Sequence, residues 1–354
     1  MKPMRHLDLF SGIGGFRHGL NHAATDAGYT YECVGYSEID AAAVRTYRAL
    51  HDTSGELELG DIVPFSQSPL SVQAIPDFEV LTGGFPCQPF SMMGAQRGFD
   101  DTRGGLFFNI VPILRLKKPP VVLLENVRNI RTHARGETMA DIVRELRGIG
   151  YQFVEHDIFN TAAFGLPQTR NRAYILALKA PPPGFTYSAK TIKAHMDSLA
   201  RRSVSSYEDV IALLESDVGD EFLLSERIKP TVLSNGTGGF RSKSLINRSP
   251  ARPLCATMVK LHRACQDNYY SLDYIASQGR VNDAELAPEI LATKPIRKIT
   301  PVEAFLLQGF SRRDAELASQ AGVSRHQLYK QAGNAVSVNV PYAITSYLIS
   351  HGVL

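Results

Sequence analysis

The sequence is short of several things, and each shortage excludes something. It has four cysteines in 354 residues, Cys33, Cys87, Cys255 and Cys265, and no Cys-x-x-Cys pair. Zinc sites need clustered thiolates or imidazoles, so no metal is expected. A disulfide framework is not expected in a chain long enough to bury its own core, and the usage points to a reducing compartment. Long apolar runs are also missing. Stretches such as Val121-Val-Leu-Leu124 fall far below the ~18 to 20 residues of a membrane span. The start, Met1 to Asp8, carries an acid and no apolar h-region, so no secretory leader is expected. No internal repeat is present. Charge of one sign is scarce too: 38 Lys+Arg against 35 Asp+Glu leave a net +3, which alone does not suggest a nucleic-acid binder.

What is there is the composition of a globular protein, 44% hydrophobic, which excludes collagen-like, low-complexity and wholly disordered chains. The length predicts one large domain or two ordinary ones. The first half alternates short apolar runs with helix-like stretches. Strands are expected at 6–10, 31–37, 78–82, 120–124, 151–159 and 173–178, and helices at about 15–27, 41–50, 106–116 and 138–147. Such alternation predicts a doubly wound, mostly parallel α/β sheet of Rossmann-like type.

The pattern breaks at Pro181-Pro-Pro-Gly184, an expected domain boundary. Beyond it, to about residue 292, alternation is lost and Gly, Ser and Asn become frequent. Charge is segregated there. Glu208 to Glu226 holds seven acids and no base, and Arg227 to Arg263 holds eight bases and no acid. Helical order resumes at Thr300-Pro-Val-Glu303, a capping box with Pro at the first helical position, and a last helix is expected over 340–350. The expected organisation is a catalytic, cofactor-binding domain of residues 1–180 plus 325–354. Residues 181–324 form a smaller, irregular, strand- and loop-rich domain with a connecting helix.

Three stretches carry chemistry. Phe10-Ser-Gly-Ile-Gly-Gly15 sits at a strand-to-helix turn, where glycines admit a ligand to the backbone and a helix N-terminus offers free N–H groups. Glu38 follows the second strand, where a carboxylate can take ribose hydroxyls, and Asp61 ends a third segment. Together they suit an adenosine-containing cofactor, against the alternative of a purely structural turn. The Gly-x-Gly-x-x-Gly spacing of dinucleotide sites is absent. Cys87 lies just beyond a strand between Pro86 and Pro89, which hold the thiol out of regular structure. A rigid thiol at that edge of an α/β sheet is a nucleophile candidate, the alternative being an inert buried cysteine. Glu125 ends a neighbouring strand, and Gln168-Thr-Arg-Asn-Arg172 adds two arginines two apart.

In order, these blocks resemble the C5-cytosine DNA methyltransferase family of bacterial modification enzymes. The matching stretches are Leu7–Phe16, Gly60-Asp-Ile62, Pro86-Cys-Gln88, Arg103-Gly-Gly-Leu-Phe107, Glu125-Asn-Val127 and Gln168-x-Arg-x-Arg172. Nearer the end come Arg297-Lys-Ile-Thr-Pro-x-Glu303, Gln308-Gly-Phe310 and Gly333-Asn-Ala-Val-Ser-Val338. Ser311 stands where the family often has Pro, and Val302 and Leu306 replace basic residues common in that helix.

The resemblance implies a DNA (cytosine-5-)-methyltransferase. It implies that the Cys87 thiolate attacks C6 of a flipped-out cytosine, with Gln88 beside it. Glu125 would bond N3 and the exocyclic amine, and Arg172 would bond O2 and Glu125. Arg170 would contact the backbone or orient the catalytic loop, and the Phe85 carbonyl would accept from N4. The implied cofactor is S-adenosyl-L-methionine, leaving as S-adenosyl-L-homocysteine, with no metal. Its pocket would be Phe10, Gly12, Gly14, Gly15, Glu38, Ile39, Asp61, Ile62, Pro86, Leu106, Asn334, Ala335 and Val336. Residues 91–102 would form a mobile loop closing over DNA, with Met92 or Met93 filling the space left by the base.

The resemblance also places a target-recognition segment between Arg172 and Arg297. Its basic stretch suits loops in the major groove, where Arg pairs with guanine and Asn with adenine, against the alternative of a solvated face. Expected DNA contacts are Ser91, Gln96, Arg97, Arg103, Arg227, Lys229, Arg241, Lys243, Arg248, Arg252, Lys260, Arg263 and Arg297. What matters for DNA is local charge on the docking face, so the small total does not argue against it. Duplex DNA is the expected partner, with a cognate restriction endonuclease in the same system, no stable complex with it, and no membrane association. Action as a monomer in a prokaryotic cytoplasm is expected. Three other readings stay open: a tRNA methyltransferase of the same fold, a nicotinamide-dependent dehydrogenase, and a non-catalytic DNA-binding module.

Overall fold

The computed structural model describes residues 3–86, 105–200, 202–235, 242–284 and 286–354. The chain divides into two compact units. The first is Met1–Phe159, Asn171–Val204 and Val340–Leu354, and the second is Asn160–Arg170 and Ser205–Asn339.

The first unit is built on a seven-stranded sheet. Its strands are β1 (Met4–Leu9), β2 (Tyr31–Ser37), β3 (Leu57–Glu58), β4 (Val80–Gly84), β5 (Val121–Val127), β6 (Phe153–Asn160) and β7 (Asn171–Leu178). Their order is β3-β2-β1-β4-β5-β7-β6. β2, β1, β4 and β5 run parallel, and β7 runs antiparallel to β5. Parallel strands covered on both faces read as continuous apolar runs, and Val121 to Leu124 are all buried. Leu7, Leu9, Leu81, Val122 and Leu124 form the core with Ile110, Ile113 and Leu114. From β1 the chain builds outward through β2 and β3, then returns to build the other way through β4 and β5. The switch point therefore lies between β1 and β4, where open α/β sheets bind their ligands beyond the carboxyl ends of the strands.

The expected strands and helices are present with small shifts. β2 and the helix Ala41–Leu50 have the expected limits, and Asp40 caps that helix by accepting from the Ala42 and Ala43 amides. The expected helix 106–116 is split into a 3-10 turn, Leu106–Asn109, and a helix, Val111–Lys117, with Pro112 in its first turn.

A polar seam runs through this core. Asp8 and His6 are fully buried on β1. Tyr47 Oη and Thr82 Oγ1 donate to the two Asp8 oxygens, at 3.3 and 3.0 Å. Because Thr82 spends its hydrogen on Asp8, His6 Nε2 donates to Thr82, and Tyr31 Oη donates to His6 Nδ1, each at 2.7 Å. Arg17 bonds Tyr47 and forks onto Glu56. Burial pushes the Asp8 carboxyl up to about 7, against the pull of its hydrogen bonds and of Arg17. A folded value above the unfolded one means stability that is complete below about pH 4 and lost as pH rises through about 7. The loss amounts to about 4 kcal/mol at most. Burial holds neutral His6 down at about 3, which acts in the opposite direction. The difference between wild type and Asp8→Asn isolates the Asp8 contribution. Urea melts from pH 5 to 8 are expected to show the variant gaining stability relative to wild type as pH rises. A constant difference would refute it.

The second unit is smaller and less regular. It holds an antiparallel pair, β8 (Tyr269–Ser271) and β9 (Ile296–Lys298), with short helices around a core of Leu224, Val232, Leu233, Ile246, Tyr269 and Ile296. Its boundaries differ from those expected. Residues 181–204 side with the first unit, because the helix Ala189–Ser198 buries Ile192 and Met196 and its first amide bonds Asp157. Residues 160–170 and 325–339 side with the second, where Arg170 and Gln168 bond its carbonyl groups. A proline run marks a break in regular structure, not the place where packing partners change.

Candidate active site

The carboxyl ends of β1 and β2 carry the first group. Phe10 follows β1 in a left-handed conformation, φ 52°, strain of a kind that clusters at functional sites. Gly12 and Gly14 also have positive φ. A Cβ on Gly14 would come within 2.2 Å of His51 Nε2, so only glycine lets the turn lie this close over that half-buried ring. The turn opens the helix Gly15–Asp26. Glu38, just past β2, ties the two loops together. Its Oε2 accepts from the Gly12 amide at 2.9 Å and its Oε1 from the Ile39 and Asp40 amides. Asp61 is exposed and caps the helix Ile62–Gln67.

Beside Glu38, Ile39 is 77% exposed, an unusual position for a large apolar side chain. Two acceptor carboxylates and an uncovered apolar side chain around a glycine turn suit hydroxyl and amine donors on a flat, weakly polar ring. That is the chemistry of an adenosine group, and the residues present fit it. Leu106 is half-buried against the core, Ile62 is buried and Pro86 is exposed.

The second group stands at the ends of β4 and β5. Glu125 is opposite Gly84 on one side and Tyr174 on the other, and is 8% exposed. Arg172 is opposite Val127. Side chains alternate along a strand, so Val127 and Glu125 share a face and Arg172 reaches diagonally back. Its Nε lies 3.0 Å from Glu125 Oε1. The antiparallel entry of β7 is what makes this possible, since it brings the start of that strand beside the end of β5. Asn126 points to the other face, where its Nδ2 donates to the Phe85 carbonyl at 2.7 Å. Sequence reasoning missed Asn126. Its position beside Glu125 was the available signal.

Other expected site residues fall elsewhere. Cys87, Gln88, Ser91, Gln96, Arg97, Arg103 and Arg241 lie outside the described residues, as do Met92 and Met93. Asn334, Ala335 and Val336 belong to the second unit, with Asn334 exposed at the end of the helix Arg325–Asn334. Arg170 is buried, and its guanidinium donates to the carbonyls of Leu254, Gly333 and Ala335. It fastens main chain within the second unit.

Two expected DNA contacts are corrected. Arg297 is fully buried in a two-pronged ion pair with Glu303, at 2.6 and 2.8 Å. Lys229 is 3% exposed, with its Nζ on Glu226 and the Ala292 carbonyl. Neither charge can reach a phosphate, because each neutralises an acid or a carbonyl inside its own unit. Arg227, Lys243 and Lys260 are exposed, and Arg248, Arg252 and Arg263 are half-buried, with Arg252 Nε on the Ala264 carbonyl. Ser311, a departure from the expected Pro, caps the helix Arg312–Gln320 through a reciprocal bond with Asp314. Among the described residues, no group of three or more His, Cys, Asp or Glu is arranged to hold a metal ion.

Comparison with known proteins gives a consistent picture. The family model for C-5 cytosine-specific DNA methylase matches residues 4–350. The chain is 34% identical over 342 residues to the Type II methyltransferase M.NlaX of Neisseria lactamica, covering 97% of this chain and 95% of that one. It is 35% identical over 355 residues to the Type II methyltransferase M.HaeII of Haemophilus aegyptius, covering 99% and 94%. Among solved structures, the S. pombe Dnmt2 methyltransferase superposes with a TM-score of 0.72 at 21% identity, covering 99% of each chain.

Proposed function

The chain belongs to the C-5 cytosine-specific DNA methylase family and is a DNA (cytosine-5-)-methyltransferase, and from that premise we propose how its residues act. The enzyme flips one cytosine out of a short specific duplex site and methylates it through a covalent bond between Cys87 and C6. The observation that carries this reading is the Glu125–Arg172 pair at the end of β5, its carboxylate buried and its guanidinium half-buried, within one strand of the fixed Phe85 carbonyl.

Cytosine C5 is too weak a nucleophile to take a methyl group unaided. Addition of the Cys87 thiolate to C6 moves an electron pair onto C5. Glu125, bonded to N3 and the exocyclic amine, holds a proton on N3 and so stabilises the charge that develops on the ring. Arg172 keeps that carboxyl in place and reaches O2. Asn126 holds the Phe85 carbonyl to accept from N4. When bound, S-adenosylmethionine supplies the electrophilic methyl group, and Phe10, Gly12, Glu38, Ile39, Asp61 and Leu106 would hold it. After C5 has taken the methyl group, a base removes the C5 proton. Those electrons restore the ring double bond and expel the thiolate. The second unit carries target recognition, with Arg227, Lys243, Arg248, Arg252, Lys260 and Arg263 toward DNA. The protein works as a monomer, paired functionally with a cognate endonuclease.

The deciding experiment incubates the protein with labelled S-adenosylmethionine and either duplex DNA or tRNA, then maps modified positions by bisulfite sequencing. Label in DNA at one short repeated sequence is expected. Transfer to tRNA alone would replace this reading with an RNA methyltransferase. For the carboxyl, Glu125→Gln is expected to slow single-turnover transfer by about 10²- to 10³-fold in protein that still melts cooperatively and binds the cofactor as wild type does. A rate within about threefold of wild type would remove Glu125 from the chemistry.

A further inference from the structure

Immediately after Glu125-Asn-Val127 comes Arg128-Asn-Ile-Arg131-Thr-His-Ala-Arg135-Gly136. From 126 to 136 it has three arginines, a histidine and no acid. It forms two 3-10 turns, Arg128–Arg131 and His133–Gly136, at the carboxyl end of β5. Ile130 is fully buried and pins the run to the core, while Arg128, Asn129, Arg131, Thr132 and Arg135 are exposed.

The backbone here is held in a costly shape. Ala134, Arg135 and Gly136 all have positive φ, at 48, 58 and 93°. A non-glycine residue in this region costs about 1–3 kcal/mol, and two in succession persist only where the surroundings impose them. His133 supports the turn through Thr138 Oγ1 at 2.7 Å. The arginines are little used by the fold itself. Arg131 lies 4.0 Å from Asp157, whose oxygens already accept from the Ile158 and Ala189 amides. Arg128 and Arg135 make no ion pair with a described residue. Fold stability explains Ile130, but it does not explain three outward arginines on a strained turn.

Their place along the chain supplies a reason. Arg128 is three residues from Glu125, so their Cα atoms lie within about 10 Å of each other. A base held on Glu125 brings its own backbone to this edge of the sheet. Flipping costs a few kcal/mol, and phosphate contacts next to the extruded nucleotide offset that cost without regard to sequence.

Resting on the methyltransferase reading above, we infer that Arg128, Arg131 and Arg135 form a phosphate-binding site for the DNA backbone beside the flipped cytosine. The site belongs to the catalytic unit, separate from the basic stretch of the second unit. Neutralising three phosphates releases their counterions, so this site makes DNA binding salt-dependent.

The test measures duplex affinity at several salt concentrations for wild type, an R128A/R131A/R135A variant and an R128K/R131K/R135K variant. The alanine variant is expected to bind about 10- to 100-fold more weakly at moderate salt, with a log–log salt slope shallower by about 2 to 3. Cofactor affinity and preferred sequence stay as in wild type, and the lysine variant recovers most of the slope. Wild-type affinity and slope in the alanine variant would overturn the inference. So would a lysine variant as weak as the alanine one, which would make the arginines structural. Wild-type binding and methylation of duplex in the same experiment test the underlying reading, so the two failures are distinguishable.

Discussion

Cys87→Ser is expected to lower methyl transfer to duplex DNA by more than about 10⁴-fold, the scale on which loss of an activated nucleophile acts. The hydroxyl is nearly isosteric with the thiol but far less acidic, so at neutral pH almost no anion is available to add to C6. Without that addition C5 gains no electron density. No arrangement of Glu125 or Arg172 can substitute, because they stabilise charge that only the addition creates. Cofactor affinity is expected to be unchanged, since Phe10, Glu38 and Asp61 sit on other strand ends. A second measurement tests the bond itself. Duplex carrying 5-fluorocytosine at the target has no C5 proton to lose, so the adduct cannot collapse and wild type should be trapped as a stable covalent complex. A complex that still forms with Cys87→Ala, or substantial transfer by Cys87→Ser, would refute Cys87 as nucleophile.

Glu303→Gln is expected to destabilise the second unit by about 3–5 kcal/mol, a large part of the stability of an ordinary domain. Glu303 Oε1 and Oε2 accept from Arg297 Nη2 and Nη1, and also from the Glu215 and Thr300 amides. Arg297 donates in addition to the Lys298 and Glu215 carbonyls. Both side chains are fully buried, so removing one charge strands the other in a low-dielectric interior. The expected readout is an early urea transition in the second unit. The double variant Arg297→Met with Glu303→Leu should recover much of the loss, since it leaves no charge unpaired. Equal midpoints for wild type and Glu303→Gln would show that solvent reaches the pair.

The strands were legible because a parallel sheet buries both faces, which writes each strand as an apolar run. Glu38 and Glu125 were legible as candidates because chemistry in such sheets sits at the carboxyl ends of the strands: Glu38 stands just past β2 and Glu125 in the last three residues of β5. The capping box at Thr300 was legible from four residues, because it is a local contact. The recognition residues were not. Arg297 and Lys229 carry the same charge as Arg227 and Lys243, and nothing near them in sequence tells an inward cation from an outward one.

The primary structure thus contained the order of elements and, in its ordered motifs, the family and the methylation reaction that goes with it, since these depend on residue type and short spacing. It did not contain the reversal of β7, which pairs Arg172 with Glu125 across 47 positions. Nor did it contain the burial that removes Arg297 and Lys229 from the surface, or the turn that leaves Arg128, Arg131 and Arg135 facing outward. A charge reaches a phosphate only if nothing in its own unit neutralises it first. Its partners come from elements distant in the chain, which folding alone brings together. The near-neutral total of +3 is the sum of both kinds of charge and distinguishes neither.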